Sequence, residues 1–401
     1  MTPEARIAAA VDILDRVLAG EPAERSLTTW ARGNRFAGSR DRAAIRDHVY
    51  DALRRRRSAL ALSGQSTSSG RALMIGLLRE DGGDPGTVFS GQGYAPAPLS
   101  AQEAEALSSA PVRGDLPEAI SLDLPDWLVA PLRARLGDDF GAAMEAMRHR
   151  APVFLRVNAA RSDRERAAEA LAAEGISTRH SPLAVHALEV IDGAGRIKSS
   201  QSYLTGLVEL QDAASQAAVE SLPLTSGMRV LDYCAGGGGK VLAMAARAQG
   251  TWFAHDADPR RMADLPTRAE RAGVAVRRIP TERVAVEAPF DLVLTDVPCT
   301  GSGTWRRTPE AKWTLRPERL EELTRTQDDI LSDAQALVRP GGALAYMTCS
   351  LLEQENGDRI AAFLMAHPSF ELETERRFSP LDGGDGFYLA CLRRNQAASF
   401  P

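Results

Sequence analysis

The chain has 401 residues, of which 44% are hydrophobic, 25% charged and 5% aromatic, with a formal net charge of −5. Those proportions suit soluble globular domains, about two to four at this length, and exclude wholesale disorder or a fibrous repeat. No apolar run approaches ~18 residues, the start lacks a secretory pattern, and Cys234, Cys299, Cys349 and Cys391 are too scattered for a disulfide framework or zinc cluster.

A reduced, cytoplasmic protein without membrane span or metal is therefore expected, and nothing in the sequence demands more than a monomer. The first predicted element is a helix, with Thr2 and Pro3 as cap and first turn and Ile7, Val11, Leu14 and Leu18 at helical spacing. A second amphipathic stretch holds Ile45, Val49, Ala52 and Leu53 and ends in the run Arg54–Arg57. Between Arg25 and Arg57 ten arginines face Asp41, Asp47 and Asp51, a local balance of +7 that leaves −12 on the remainder. Concentrated positive charge is the footprint that phosphate backbones select, although a solvated helix face accounts for it as well. SGQSTSSG and GGDPGTVFSGQGYAPAPLS read as loops or linker.

From about Pro125 a small α+β module is expected: PDWLVAPLRARLG helical, APVFLRVNAAR a strand, RERAAEALAAEGI helical and HALEVI a strand. From about Gly206 strands alternate with helices. RVLDYC, TWFAHD, VAVRRI, FDLVLTD and ALAYMTC are short apolar, β-branched runs that imply βαβ units and an α/β, doubly wound, mostly parallel sheet. Ligands of such sheets bind at the carboxyl ends of strands near the switch point.

The chemistry-bearing residues do follow the strands. After the first comes Asp232-Tyr233-Cys234-Ala235-Gly236-Gly237-Gly238-Gly239-Lys240. Its glycines let a backbone approach a ligand closely before a helix opens. A phosphate-binding P-loop would need Gly at 234 and Ser or Thr at 241; Cys234 and Val241 stand there. Asp256 ends the second strand, where a carboxylate accepts both hydroxyls of a ribose. After the fourth comes Asp296-Val297-Pro298-Cys299-Thr300-Gly301-Ser302-Gly303, then Trp305-Arg306-Arg307 and Lys312-Trp313; after the fifth, Thr348-Cys349-Ser350. Two cysteines thus end neighbouring strands. Only three lysines stand among 48 basic residues, and Lys240 and Lys312 both fall in these motifs, as if an ammonium were required there.

Together with Glu355-Asn356, Gln211-Asp212-Ala213-Ala214-Ser215 and Leu155-Arg156-Val157-Asn158, these motifs resemble those of the Fmu/Sun-type, RsmB-like RNA cytosine-5 methyltransferases, over about residues 120 to 395. Ser39-Arg40-Asp41-Arg42 and Tyr50–Arg55 more loosely resemble the NusB-like RNA-binding domain of the bacterial ribosomal members. The resemblance implies a helical NusB-like domain plus linker over 1–121, a small α+β RNA-binding module over 122–205 and a Rossmann-like S-adenosylmethionine-dependent methyltransferase domain over 206–401. By the same analogy Cys349 attacks cytosine C6, Cys299 assists product release, Asp296 holds the cytosine edge and Lys240 supplies charge nearby.

S-adenosylmethionine would lie on Cys234, Ala235, Gly236, Gly237, Gly238, Gly239 and Lys240, with Asp256, Arg261 and Asp296 completing its site. RNA contacts fall to Arg40, Arg42, Arg54, Arg55, Arg306, Arg307 and Lys312. The expected substrate is small-subunit ribosomal RNA; transfer RNA and an RNA-binding assembly factor on a decayed scaffold are the alternatives. Two departures stand out. Gly236 and Gly237 replace the family's Ala-Pro, which relaxes the turn, and Ile279-Pro280-Thr281-Glu282 lacks the acid that normally follows the third strand.

Overall fold

In the computed structural model, which describes residues 1–396, Thr2 caps the first helix, Pro3–Leu18, by accepting from the Ala5 N–H at 3.2 Å. Helices Ala23–Gly33, Ser39–Arg54, Arg56–Leu62 and Gly70–Glu80 follow. Ile7, Ile13, Leu14, Leu27, Trp30, Ile45, Val49, Leu73 and Leu77 converge from their apolar faces into one core. The helix at Gly70–Glu80 lies between the two segments expected as loop; its apolar run was not singled out in the sequence. Gly76 there packs so closely that a Cβ would stand 1.7 Å from the Ala59 carbonyl oxygen, which only glycine tolerates.

This helical unit comprises Met1–Arg150 and also Trp305–Thr314. Polar contacts link its parts: Asp123 accepts from Ser58 Oγ and Arg148 Nε, both at 2.8 Å, and Arg57 Nη1 reaches Asp126 at 2.7 Å. These bonds tie the helices Asp126–Leu136 and Phe140–Met147 to the N-terminal helices.

The second unit holds Ala151–Thr304 and the chain from Leu315 onward. Its smaller sheet has β1 (Val153–Val157), β2 (Ser177–His180), β3 (Ala187–Asp192) and β4 (Val208–Leu210) in the order β2-β3-β1-β4. Every pairing in it is antiparallel. β2 and β4 were not expected, since one is polar and mostly exposed and the other has three residues. β4 also carries this sheet beyond the expected limit at 205.

The larger sheet is β5 (Met228–Asp232), β6 (Gly250–Ala254), β7 (Val276–Arg278), β8 (Phe290–Asp296), β9 (Val338–Thr348), β10 (Phe370–Phe378) and β11 (Phe387–Arg394). Its order, β10-β11-β9-β8-β5-β6-β7, is parallel from β9 to β7 and antiparallel at β11 and β10. Both faces are covered, so the central strands are apolar on both faces through most of their middles. Leu292, Leu294, Ala345 and Met347 fill one core, while Val293, Leu344 and Tyr346 fill the other, as the two-residue period of a strand requires. Strand order reverses between β5 and β8, which makes their carboxyl ends the switch point. Among the described residues no helix is long and apolar enough to cross a membrane.

Candidate active site at the switch point

Asp232, Asp256, Asp296 and Cys349 stand at or just beyond the ends of β5, β6, β8 and β9. Asp232 is buried: one carboxylate oxygen accepts from the Val241 N–H at 3.1 Å, and the other has no partner. Burial, then the charge of Asp296, pushes its pKa up to about 7, against the pull of Lys240. An unpartnered buried carboxylate oxygen facing a ligand turn is the mark of a site that awaits a donor or cation.

The glycine turn follows Asp232 directly in the chain. Gly236 and Gly238 have positive φ, and a Cβ on Gly238 would meet Leu265 Cδ1 at 2.2 Å. Asp256 accepts from the Gly236 N–H at 2.9 Å and from the Asp258 N–H at 3.0 Å, with Arg261 at 3.2 Å. The carboxylate expected to hold a ribose therefore also ties the turn to the end of β6, and its remaining lone pairs are free to accept more. Ala235 donates to the His255 carbonyl at 2.8 Å. Cys234 is a thiol, since burial and the Asp232 charge push its pKa up.

Sequence reasoning missed the supports of this turn. Arg268 Nη1 donates to the Gly237 carbonyl at 2.5 Å, and Arg156 Nη1 to the Gly239 carbonyl at 2.8 Å and to Gln211 at 2.5 Å. Two arginines thus stiffen from outside a turn that lacks the family's proline. The motif around Gln211 was a signal; the role of Arg268, in a segment without any motif, had none.

Lys240, on the first turn of helix Gly239–Ala245, pairs with Asp296 and lies 5.5 Å from the centre of the Phe387 ring. Burial pulls the ammonium pKa down, but the Asp296 charge and hydrogen bond outweigh it and hold it above the ordinary value. Cys299 and Cys349 meet with their sulfurs 3.4 Å apart. The hydrogen bond from Cys299 lowers the Cys349 pKa, burial opposes it and the Lys240 charge assists. For Cys299 the hydrogen bond to Cys349, then burial, then the charges of Cys349 and Glu355 push the pKa well up. The hydrogen bond between the sulfurs thus makes Cys349 the more acidic thiol of the pair and Cys299 the less acidic, with the Lys240 charge assisting and the Asp296 charge opposing at Cys349. Cys391, in the core on β11, is pushed up to about 12 by burial and is inert packing.

A buried carboxylate fixes both cysteine loops. Glu355 accepts from the Thr300 N–H at 2.8 Å, Thr300 Oγ1 and Ser350 Oγ at 2.5 Å each, and Gln327 Nε2 at 3.1 Å. Ser302 and Ser350 bond at 2.9 Å, and the Gly303 N–H donates to the Cys349 carbonyl at 2.9 Å. The Glu355-Asn356 pair was read in the sequence only as part of a motif; its role as the acceptor hub emerges from the fold.

The expected RNA contacts divide differently. Arg54 and Arg306 are buried, Arg54 Nε donating to the Arg306 carbonyl at 2.6 Å. Lys312 is buried as well, donates to the Arg54 carbonyl at 3.4 Å and is pulled down to about 8 by desolvation. Arg55 is enclosed by Asp81 at 2.6 Å and Glu80 at 3.4 Å, and Arg307 is half-buried. The segment that bears Lys312 packs into the helical unit, with Trp313 Nε1 on the Leu53 carbonyl at 2.6 Å. Arg54, Arg55, Arg306 and Lys312 are thereby spent on internal contacts, and of the expected set Arg40 and Arg42 face solvent.

Comparison with known proteins finds similarity to methyltransferases. A family described as 16S rRNA methyltransferase RsmB/F matches residues 219–393, and an RsmF/B-like, ferredoxin-like domain matches 124–196. The ribosomal RNA small subunit methyltransferase B of Klebsiella pneumoniae is 32% identical over 290 residues, covering 68% of this chain and 66% of that protein. Its Yersinia pestis counterpart is 31% identical over 284 residues, 67% of this chain and 66% of that protein. The chain thus aligns with about two thirds of the length of these relatives. In fold it matches the crystal structure of PH0851 (TM-score 0.76, 23% identity, 98% of this chain and 99% of that one). A methyltransferase homologue from Pyrococcus horikoshii also matches (TM-score 0.60, 24% identity, 69% and 97%).

Proposed function

This chain belongs to the RsmB/F methyltransferase family, and on that premise we propose that it transfers a methyl group from S-adenosylmethionine to C5 of a cytosine in small-subunit ribosomal RNA. The observation that carries the reading is the Cys349–Cys299 pair, sulfurs 3.4 Å apart, beside the Lys240–Asp296 ion pair. The names of the curated relatives support ribosomal RNA as substrate.

The residues at the switch point suit that cofactor. Its ammonium and ribose hydroxyls need acceptors and its sulfonium needs negative charge nearby; Asp232 offers an unpartnered oxygen, and Asp256 and Asp296 retain lone pairs. When bound, S-adenosylmethionine supplies an electrophilic methyl. Asp232, the turn from Cys234 to Gly239 and Asp256 would hold it, with Arg261 beside Asp256.

Cytosine C5 is a poor nucleophile, so the ring needs covalent activation. The Cys349 thiolate adds to C6, which makes C5 nucleophilic. Asp296, paired with Lys240, accepts from the exocyclic amino group, and the Lys240 ammonium offsets the charge that builds in the ring. Cys299 begins as a thiol because its hydrogen bond to Cys349, then burial, raise its pKa. Once Cys349 is a neutral thioether that bond no longer holds the proton; the Cys299 thiol gives it to solvent, its thiolate takes the C5 proton after C5 has gained the methyl, and the electron pair left at C5 re-forms the ring double bond and expels Cys349 as a thiolate. Because the reacting atom lies in a base plane, the nucleotide must be unstacked.

Labelled S-adenosylmethionine and unmodified ribosomal RNA test the proposal. Wild-type protein is expected to transfer label to C5 of cytosine. Cys299→Ala is expected to accumulate a protein–RNA adduct that Cys349→Ala cannot form. Absence of the adduct in Cys299→Ala, or transfer by Cys349→Ala, would overturn the mechanism.

A further inference from the structure

With Arg54, Arg55, Arg306 and Lys312 engaged internally, the positive charge that the helical unit presents to solvent lies elsewhere. Arg32, Arg35, Arg40 and Arg42 are exposed and have no carboxylate within ion-pair distance among the described residues. The Arg42 Nε is steadied by the Ala37 carbonyl at 2.9 Å, which leaves its charge uncompensated. Arg32, Arg35, Arg42 and Arg46 line a cleft of about 460 Å³ whose floor includes Leu27, Trp30 and Ile45. Of these, Arg46 is shared with Glu24 at 3.6 Å.

Trp30 also floors an adjoining cleft of about 700 Å³ that is lined by Phe36 and Tyr94. Phe36 is 74% and Tyr94 85% exposed, and among the described residues they are the large aromatics left to solvent. Planar rings held in water beside unpaired guanidinium groups suit a ligand with flat apolar faces on an anionic backbone. An acidic protein surface would use the arginines but leave the rings without partners. Asp12 is the carboxylate among the lining residues of the two clefts.

We propose that this face binds a single-stranded segment of RNA, with phosphates on Arg32, Arg35 and Arg42 and unstacked bases on Phe36 and Tyr94. The inference rests on the reading that the chain acts on RNA, and it adds a contact region remote in sequence from the cysteine site. The segment bound here is distinct from the target nucleotide, which must reach Cys349.

Fluorescence anisotropy with a labelled 12-nucleotide oligouridylate, titrated at several salt concentrations, tests it without recourse to methyl transfer. Each phosphate contact on a single strand contributes about 0.7 to the log–log salt slope. The exchange Arg32→Glu with Arg35→Glu is expected to weaken binding at least tenfold and reduce the slope by about 1.4. Phe36→Ala with Tyr94→Ala is expected to weaken it about tenfold with the slope unchanged, because stacking releases no counterions. All four side chains are exposed, and unchanged thermal unfolding of the variants shows that the fold survives. Wild-type affinity and slope in the arginine variant would overturn the proposal and leave the face to an acidic protein partner. Failure of the methyltransferase reading would appear separately, as absent transfer by wild-type protein that still binds the oligonucleotide.

Discussion

The loops that carry Cys299 and Cys349 and the turn from Asp232 to Lys240 lie at the same end of one sheet, yet they are held by opposite means. The cysteine loops are fixed from within by the buried carboxylate of Glu355, which accepts four hydrogen bonds from Thr300, Ser350 and Gln327. The glycine turn is fixed from its edges, by Asp256 on one amide and by Arg268 and Arg156 on two carbonyls. Under the proposed mechanism, two sulfurs 3.4 Å apart that act in turn on one base need fixed geometry. Rigidity is therefore concentrated under the sulfurs.

Breaking the inner support should have the largest consequence. Glu355→Ala leaves several buried donors unpaired, at a cost of about 3–5 kcal/mol. Denaturant unfolding should register that loss, and Glu355→Gln, which retains part of the acceptor set, should lose less. Next is Lys240→Met, which keeps bulk and removes charge. Transfer should fall ~10²-fold, and the pH at which Cys349 becomes alkylated by iodoacetamide should shift upward, since Lys240 helps hold that thiol down. An unshifted alkylation profile would show that Lys240 does not set the thiolate.

The cofactor side sharpens the comparison through pH. Asp232 titrates at about 7 in the folded protein, so it is ionised above that pH and protonated below it. A cationic cofactor prefers the ionised form, and its affinity should fall about tenfold from pH 8 to pH 6. Asp232→Asn should flatten that profile, as isothermal titration calorimetry would show. The smallest effect is expected from Arg268→Ala. Loss of one bond to the Gly237 carbonyl should weaken cofactor binding severalfold, about 1 kcal/mol, while leaving Cys349 alkylation unchanged. A parallel change in both would mean that the two supports are one.

Much of the candidate site was legible before the structure. Strand–helix alternation placed Asp232, Asp256, Asp296, Cys299 and Cys349 at strand ends, because a parallel sheet exposes function where its strands stop. The helical unit was less legible. Arg54 and Arg306 stand 252 positions apart and meet as donor and carbonyl, and Lys312 is buried against the same backbone. A basic side chain at 54 or 312 reads as a phosphate contact until the segment that covers it is known.

The sequence by itself determined the sheet, the glycine turn and the cysteine motifs, since apolar periodicity and residue chemistry are local properties of the chain. Tertiary structure alone decided which sulfur lies nearer the Lys240 charge, which carboxylate oxygen lacks a partner and which arginines reach water. Those outcomes depend on segments tens to hundreds of residues apart, and on burial, which changes the energy of a charge far more than its identity does.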